Sequence, residues 1–224
     1  MNSIAPVTKH LLIINVIMWL AAMVFRQVGN LDLEWLLGLH FWKADQFKPF
    51  QFLTYMFMHD TQGFAHVFFN MFSLWMFGSL VERVMTSRRY IIYYLVCGLG
   101  AALAQELVWQ YSWQDLLASV QGQIPEHQLS NMLVTVGASG AVFGILLAFA
   151  MIFPNMKMYI IPFPFPIKAK WVVLGYGLIE LLFGVTGSIS NVAHFAHLGG
   201  MITGLILILY WKHTGVIDRR NVIY

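Results

Sequence analysis

The chain has 224 residues, 59% hydrophobic and 10% charged, less than half the charge content of a soluble domain. That balance excludes a disordered chain, and a single cysteine, Cys97, excludes an internal disulfide scaffold. With a mean hydropathy of +0.68, the chain belongs in a bilayer, and six helices of about 20 residues would leave little for any soluble domain.

The first predicted span is 11–25. A basic start (Lys9, His10) and an apolar run give it the look of a signal peptide. No small-residue cleavage site follows Ala21-Ala22, so it is expected to remain as an uncleaved helix. A long loop, 26–63, comes next. Trp35, Phe41, Trp42, Phe47, Phe50 and Phe52 make it amphipathic, suited to a membrane interface. The remaining spans are expected at 64–84, 90–110, 131–153, 171–187 and 192–211. Backbone groups in lipid must be satisfied within their own segment, which makes these helices, and the alternating ten-residue strands of a barrel are absent. The stretch Ile161 to Pro166 (IPFPFP) reads as a loop, because its prolines cannot continue a helix. The fold class expected is an all-α membrane protein, a six-helix bundle forming one domain over 1–224.

Six spans divide the loops into two sets. One carries ten of the 13 Lys and Arg residues; the other holds Arg26, Lys43 and Lys48. The positive-inside rule therefore places both termini in the cytoplasm and the loops 26–63, 111–130 and 187–191 outside. The same bias explains the net charge of +3 and the pI near 9.0, so the basicity calls for no nucleic-acid partner. The bilayer itself is the expected environment, as in a bacterial plasma membrane.

Polar residues inside spans are costly and need a reason. They are His66, Asn70, Ser139, Glu180, His194 and His197, with Glu82 and Glu106 near span ends, where headgroups would make them cheaper. Ser139 follows Leu133 by six residues and His197 follows Asn191 by six, so each is expected about 9 Å below the outer end of its span. His66 and Asn70, four apart on one helical face, start the second span at the same end. Four polar residues from three helices thus fall in one outer layer. Taken alone, Gly137-Ala138-Ser139-Gly140 is a small-residue packing face, and Ala141 breaks the glycine spacing of a nucleophile elbow. His197 shares a face with Gly200 and Gly204, which lets helices four and six approach. Together these residues suit acyl transfer. A histidine activates the serine, and His66, Asn70 and the Ser139 N–H serve as oxyanion donors.

No aspartate lies in a span, so a Ser–His dyad is expected, with Glu180 read as a helix-packing partner. A metal site from His194 and His197 is disfavoured. The H-E-x-x-H pattern is missing and no span carboxylate is expected beside the histidines to complete a ligand set. Transport through Glu180 is disfavoured too, since the halves show no internal symmetry. No cofactor is expected, and no sequence feature sets an oligomeric state.

Three motifs carry a resemblance. His66-Val67-Phe68-Phe69-Asn70 with Gly78 and Glu82, then Gly137-Ala138-Ser139-Gly140, then Ala193 to Gly200 with Gly204, resemble the second, fourth and sixth helices of rhomboid intramembrane serine proteases. The resemblance covers about 51–204. It implies six helices around a water-filled cavity open to the outer side, and cleavage of transmembrane protein substrates. It implies Ser139 as nucleophile, His197 rather than His194 as base, and an oxyanion site from His66, Asn70 and the Ser139 N–H, with Gly137, Gly140, Phe143, Gly200 and Gly204 in support. The fifth helix would gate substrate access. Two positions depart from the family pattern: Phe50-Gln51 stands where Trp-Arg is common, and Phe143 keeps the ring but not the hydroxyl of the usual tyrosine. A non-catalytic rhomboid-like protein that binds membrane segments is the alternative reading.

Overall fold

The computed structural model describes residues 3–29, 31–159, 165–186 and 193–215. Helix α1 (Pro6–Val28) is followed by α2 (Leu33–Leu37), the short strand β1 (Leu39–His40), α3 (Gln51–Thr54) and a 3₁₀ turn, Tyr55–Phe57. The second long helix is continuous over Phe64–Met85 and consists of α4 (Phe64–Ser73), a π turn (Leu74–Gly78) and α5 (Ser79–Met85). There follow α6 (Ser87–Tyr111), α7 (Trp113–Ser119), α8 (Glu126–Met132), β2 (Val134–Thr135) and α9 (Ser139–Ile152). The last described elements are β3 (Lys157–Met158), β4 (Ile167–Lys168), α10 (Ala169–Thr186) and α11 (His194–His213). Among the described residues, five helices are long and apolar enough to cross a membrane: α1, α4–α5, α6, α10 and α11. The protein is thus an all-α, multi-pass membrane protein. Most of the IPFPFP segment and the whole of the expected turn 187–191 lie outside the described residues, as do Arg219 and Arg220.

The fourth apolar helix departs from expectation. It begins at Ser139 rather than near 131 and has 14 residues, about 21 Å at 1.5 Å per residue. Asn131 and Met132 belong to α8, and the apolar stretch Leu133 to Val136 is extended, because β2 pairs antiparallel with β1, Leu39 opposite Thr135. Ser139 therefore does not lie two turns inside a helix; it opens one. His197 likewise stands one turn, not two, from the start of α11.

The loop 26–63 folds on itself. Leu39, Phe41, Tyr55, Met56 and Met58 are buried, while Trp35, Trp42 and Phe50 stay exposed. Phe41 packs against Trp113 of α7 with tilted rings, centroids 5.2 Å apart, and with Leu129 they form a small core beside the bundle. Gln51 fastens the loop. Its amide donates to the Leu36 and Gln46 carbonyls, and its oxygen accepts from Lys48 N–H.

The main core lies among α6, α9 and α11, with α11 packed most extensively on α6 and α9. Small residues permit this. A Cβ on Gly200 would collide with the Gly140 backbone, so the two helices touch main chain to main chain, the approach that glycine allows in membranes. The Tyr93 hydroxyl of α6 donates to the Gly144 carbonyl of α9 at 2.8 Å and occupies the space left by Gly204.

Glu82 and Glu106 were expected at headgroups, but the protein buries both. Glu82 accepts from Val7 N–H, Thr8 N–H, the Thr8 hydroxyl and the Ser87 hydroxyl, at 2.6–2.9 Å. Pro6 opens α1 and supplies no donor, so the carboxylate caps the next free N–H groups of the helix from a distant element. Glu106 accepts from Trp42 N–H at 3.0 Å and ties α6 to the first loop.

Candidate active site

The backbone entering Ser139 is held on both sides. Phe41 N–H donates to the Leu133 carbonyl and Gly137 N–H to the Tyr55 carbonyl. Gly137 has φ +138°, a conformation that L side chains rarely adopt. A Cβ there would stand 3.0 Å from His66 Nε2 and 3.5 Å from Ser139 Oγ. His66 and Ser139 thus flank one small space that only glycine leaves open. The first N–H groups of α9, starting with that of Ser139, have no carbonyl one turn earlier to bond. They present the positive end of the helix dipole beside the hydroxyl.

Ser139 Oγ lies 2.7 Å from His197 Nε2. His197 Nδ1 lies 3.0 Å from Glu180 Oε2, and His194 Nδ1 lies 2.7 Å from the same oxygen. This overturns the expectation that no span carboxylate would stand near the histidines. The expected packing role of Glu180 is realised, but its partners are the two histidines of α11. All three side chains are largely buried, with 13% of the Glu180 side chain accessible.

The hydrogen-bond map is determined by what each atom can do. A carboxylate only accepts, so both Nδ1 atoms carry their protons toward Glu180. A neutral His197 then has an unprotonated Nε2, and the Ser139 hydroxyl donates to it. The Phe143 ring stacks on His197 with centroids 4.3 Å apart and planes 8° apart, which confines the imidazole by packing.

His66 is fixed by similar reasoning. Asp60 N–H donates to its Nδ1 at 3.2 Å, so a neutral ring holds its proton on Nε2, on the Gly137 side. Asn70 Nδ2 donates to the His66 carbonyl at 2.9 Å, which occupies one of its two N–H groups. His59 packs edge-on to His66, with centroids 5.2 Å apart. His59 Nε2 lies 3.0 Å from Asn15 Oδ1, an amide oriented by its Nδ2 donating to the Leu11 carbonyl. Burial, and then the neighbouring His66, push His59 down to about 3.

Glu180, His194 and His197 also form the one cluster among the described residues with metal-ligand geometry, their donor atoms lying within 4.8 Å of one another. Ligands about 2.0–2.1 Å from a tetrahedral zinc stand roughly 3.3 Å apart. The 2.7 and 3.0 Å separations here are those of N–H···O hydrogen bonds, and protons account for the closeness.

The link from Glu180 to the histidines escaped sequence reasoning because the acid lies 17 residues before His197, on another helix. A signal was present. Gly177, Glu180 and Gly184 fall on one face of α10, and Cβ atoms on the two glycines would meet Met201 and, at Gly184, Phe195 and His194 of α11. The acid sits on the close-packing face.

This arrangement of a helix-opening serine, a histidine from a glycine-faced neighbour and a His–Asn pair one turn apart defines a class of membrane protein. The rhomboid domain matches residues 46–213, and the chain belongs to the rhomboid family. It is 34% identical over 154 residues to rhomboid protease AarA of Providencia stuartii, covering 64% of this chain and 50% of that protein. It is 30% identical over 143 residues to rhomboid protease GluP of Bacillus subtilis, covering 63% and 22%. It is 28% identical over 164 residues to mitochondrial rhomboid protein 1 of Saccharomyces cerevisiae, covering 71% and 41%. The chain thus spans about half, or less, of the length of these relatives.

Proposed function

We propose that the protein is an intramembrane serine endopeptidase that cuts transmembrane segments of other membrane proteins near the outer face. In this reading α9 counts as a sixth span, the chain forms a single membrane domain and both termini are cytoplasmic. Two relatives that carry the name protease support the reading. The observation that carries it is the 2.7 Å contact between Ser139 Oγ and His197 Nε2 at the open end of a helix, the arrangement that activates a serine nucleophile.

In this mechanism Ser139 Oγ attacks the scissile carbonyl carbon while its proton passes to His197 Nε2. The oxyanion forms beside the Ser139 N–H and the His66 Nε2–H, with the free N–H of Asn70 as third donor. Collapse breaks the C–N bond, and the leaving amine takes the proton from Nε2. Water then attacks the Ser139 ester, gives its proton to Nε2, and the second collapse returns that proton to Ser139 as the acid product leaves.

An alkyl fluorophosphonate bearing biotin tests this directly. Wild-type protein in detergent is expected to become labelled at Ser139, and Ser139→Ala and His197→Ala to lose labelling by at least about 1,000-fold while melting near the wild-type temperature. Absence of wild-type labelling would favour the membrane-segment binding protein. Comparing fragments produced from membrane extracts by wild type and Ser139→Ala would then identify substrates.

A further inference from the structure

Nothing in the protease reading above requires an acid, yet the site contains one. Glu180 Oε2 stands 3.0 Å from His197 Nδ1, on the far side of the imidazole from Ser139. Serine, histidine and carboxylate are in line, each from a different helix: α9, α11 and α10. The carboxylate is buried, and its cost in a membrane interior demands compensation. The two imidazole N–H groups supply it. His194 donates to the same oxygen at 2.7 Å from one turn before His197, and so restrains the carboxylate from its other side. Gly184 lets α10 approach His194 and Phe195 closely enough for this geometry.

We propose that Glu180 is the positioning acid of the site, making it a Ser139–His197–Glu180 triad rather than a dyad. The inference rests on the protease reading. Glu180 holds His197 in the tautomer whose Nε2 can accept the Ser139 proton. It also stabilises the imidazolium that forms when the proton arrives, and the Nδ1 proton stays on the ring throughout. His194 aims the carboxylate and touches no reacting atom. Phe143, stacked on the ring face, limits its tilt, while Glu180 sets its rotation about the ring axis. The two restraints are complementary.

The test measures labelling by the biotinylated fluorophosphonate as two quantities, the maximal labelling rate and the probe concentration at half-saturation, on the full chain in detergent. Glu180→Gln is isosteric and accepts the same hydrogen bonds without the charge. It is expected to lower the maximal rate about 100-fold or more, with half-saturation unchanged within twofold. Glu180→Asp keeps the charge on a shorter arm and is expected to recover part of the loss. A packing role predicts the reverse order, with Gln near wild type and Asp impaired. Wild-type rates in Glu180→Gln, or a loss in Gln that Asp does not relieve, would overturn the triad. Should Glu180→Gln fail to fold, Glu180→Ala with small added carboxylates decides. A Glu180→Ala maximal rate that added formate raises and neutral formamide does not, at constant melting temperature, supports the triad, and any other response overturns it. Unlabelled wild-type protein would instead remove the protease reading on which the triad stands.

Discussion

Two carboxylates, one buried and one largely buried, stand near opposite ends of the bundle and are handled differently. Glu82 accepts four hydrogen bonds, from two backbone N–H groups and two hydroxyls. Each donor is a group whose proton stays where it is. Glu180 accepts two, both from imidazoles, and one of those imidazoles receives a serine hydroxyl on its other nitrogen. A carboxylate saturated by fixed donors fastens helices together. One that faces a ring able to take up a proton can also influence chemistry. In the proposed reading the same side chain thus has a structural and a reactive use in one fold, according to what donates to it.

This contrast is strongest at the reactive end when its geometry is disturbed without touching its charges. Gly137→Ala would need φ +138° of an alanine and would push a methyl group into the space between His66 and Ser139. Labelling of Ser139 is expected to fall by about 100-fold or more, since small misplacements at a reacting centre cost that much. Melting temperature, measured alongside, should fall only modestly.

Glu82→Ala should give the converse. It leaves the first N–H groups of α1 without their cap and two hydroxyls without their acceptor, at a cost of about 2–4 kcal/mol. Chemical denaturation in detergent would read that loss, while the labelling rate per folded molecule should stay within about twofold of wild type.

A smaller effect concerns His59, a buried group of neither kind. Its proton affinity is lowered in the folded protein, to about 3, against about 6.5 for an unfolded histidine. Below pH 6.5 the unfolded chain takes up a proton that the folded one refuses, so stability present at pH 7.5 is lost progressively as pH falls toward 3. Melting temperatures at pH 7.5 and 5.0 should differ by several degrees, and His59→Gln should narrow the gap.

The parts of this molecule readable from sequence are those set by long apolar runs. The spans expected at 64–84 and 90–110 correspond to Phe64–Met85 and Ser87–Tyr111, because about 20 apolar residues have few other uses. The region before Ser139 was not readable in the same way. Met132, Leu133, Val134 and Val136 are as apolar as a helix, and hydropathy does not separate a helical segment from a short extended one. The partner that decides it, Leu39–His40, lies some 95 residues earlier. Ser139, His197, His66 and Asn70 stood out because each is polar in an apolar span. Glu180 stood out equally, yet its partners are matched only by the packing of α10 on α11, a tertiary fact that spacing along one helix carries faintly, through Gly177 and Gly184.

The shortness of α9 has its own consequence. At 14 residues it reaches about 21 Å, some 9 Å less than the hydrocarbon thickness of a bilayer. A lipid-facing helix of that length would thin the membrane around it. Here α4–α5, α6, α10 and α11 surround it, so the shortfall falls on the protein instead. Extended backbone from Leu133 to Gly137 fills that depth, which is tolerated only where it is enclosed by protein or wetted. In the proposed protease reading, hydrolysis would consume a water molecule, and a bilayer interior has none to give. Ending the central helix early leaves that depth to polar backbone beside Ser139, while the span-length helices α4–α5, α6, α10 and α11 pack around it.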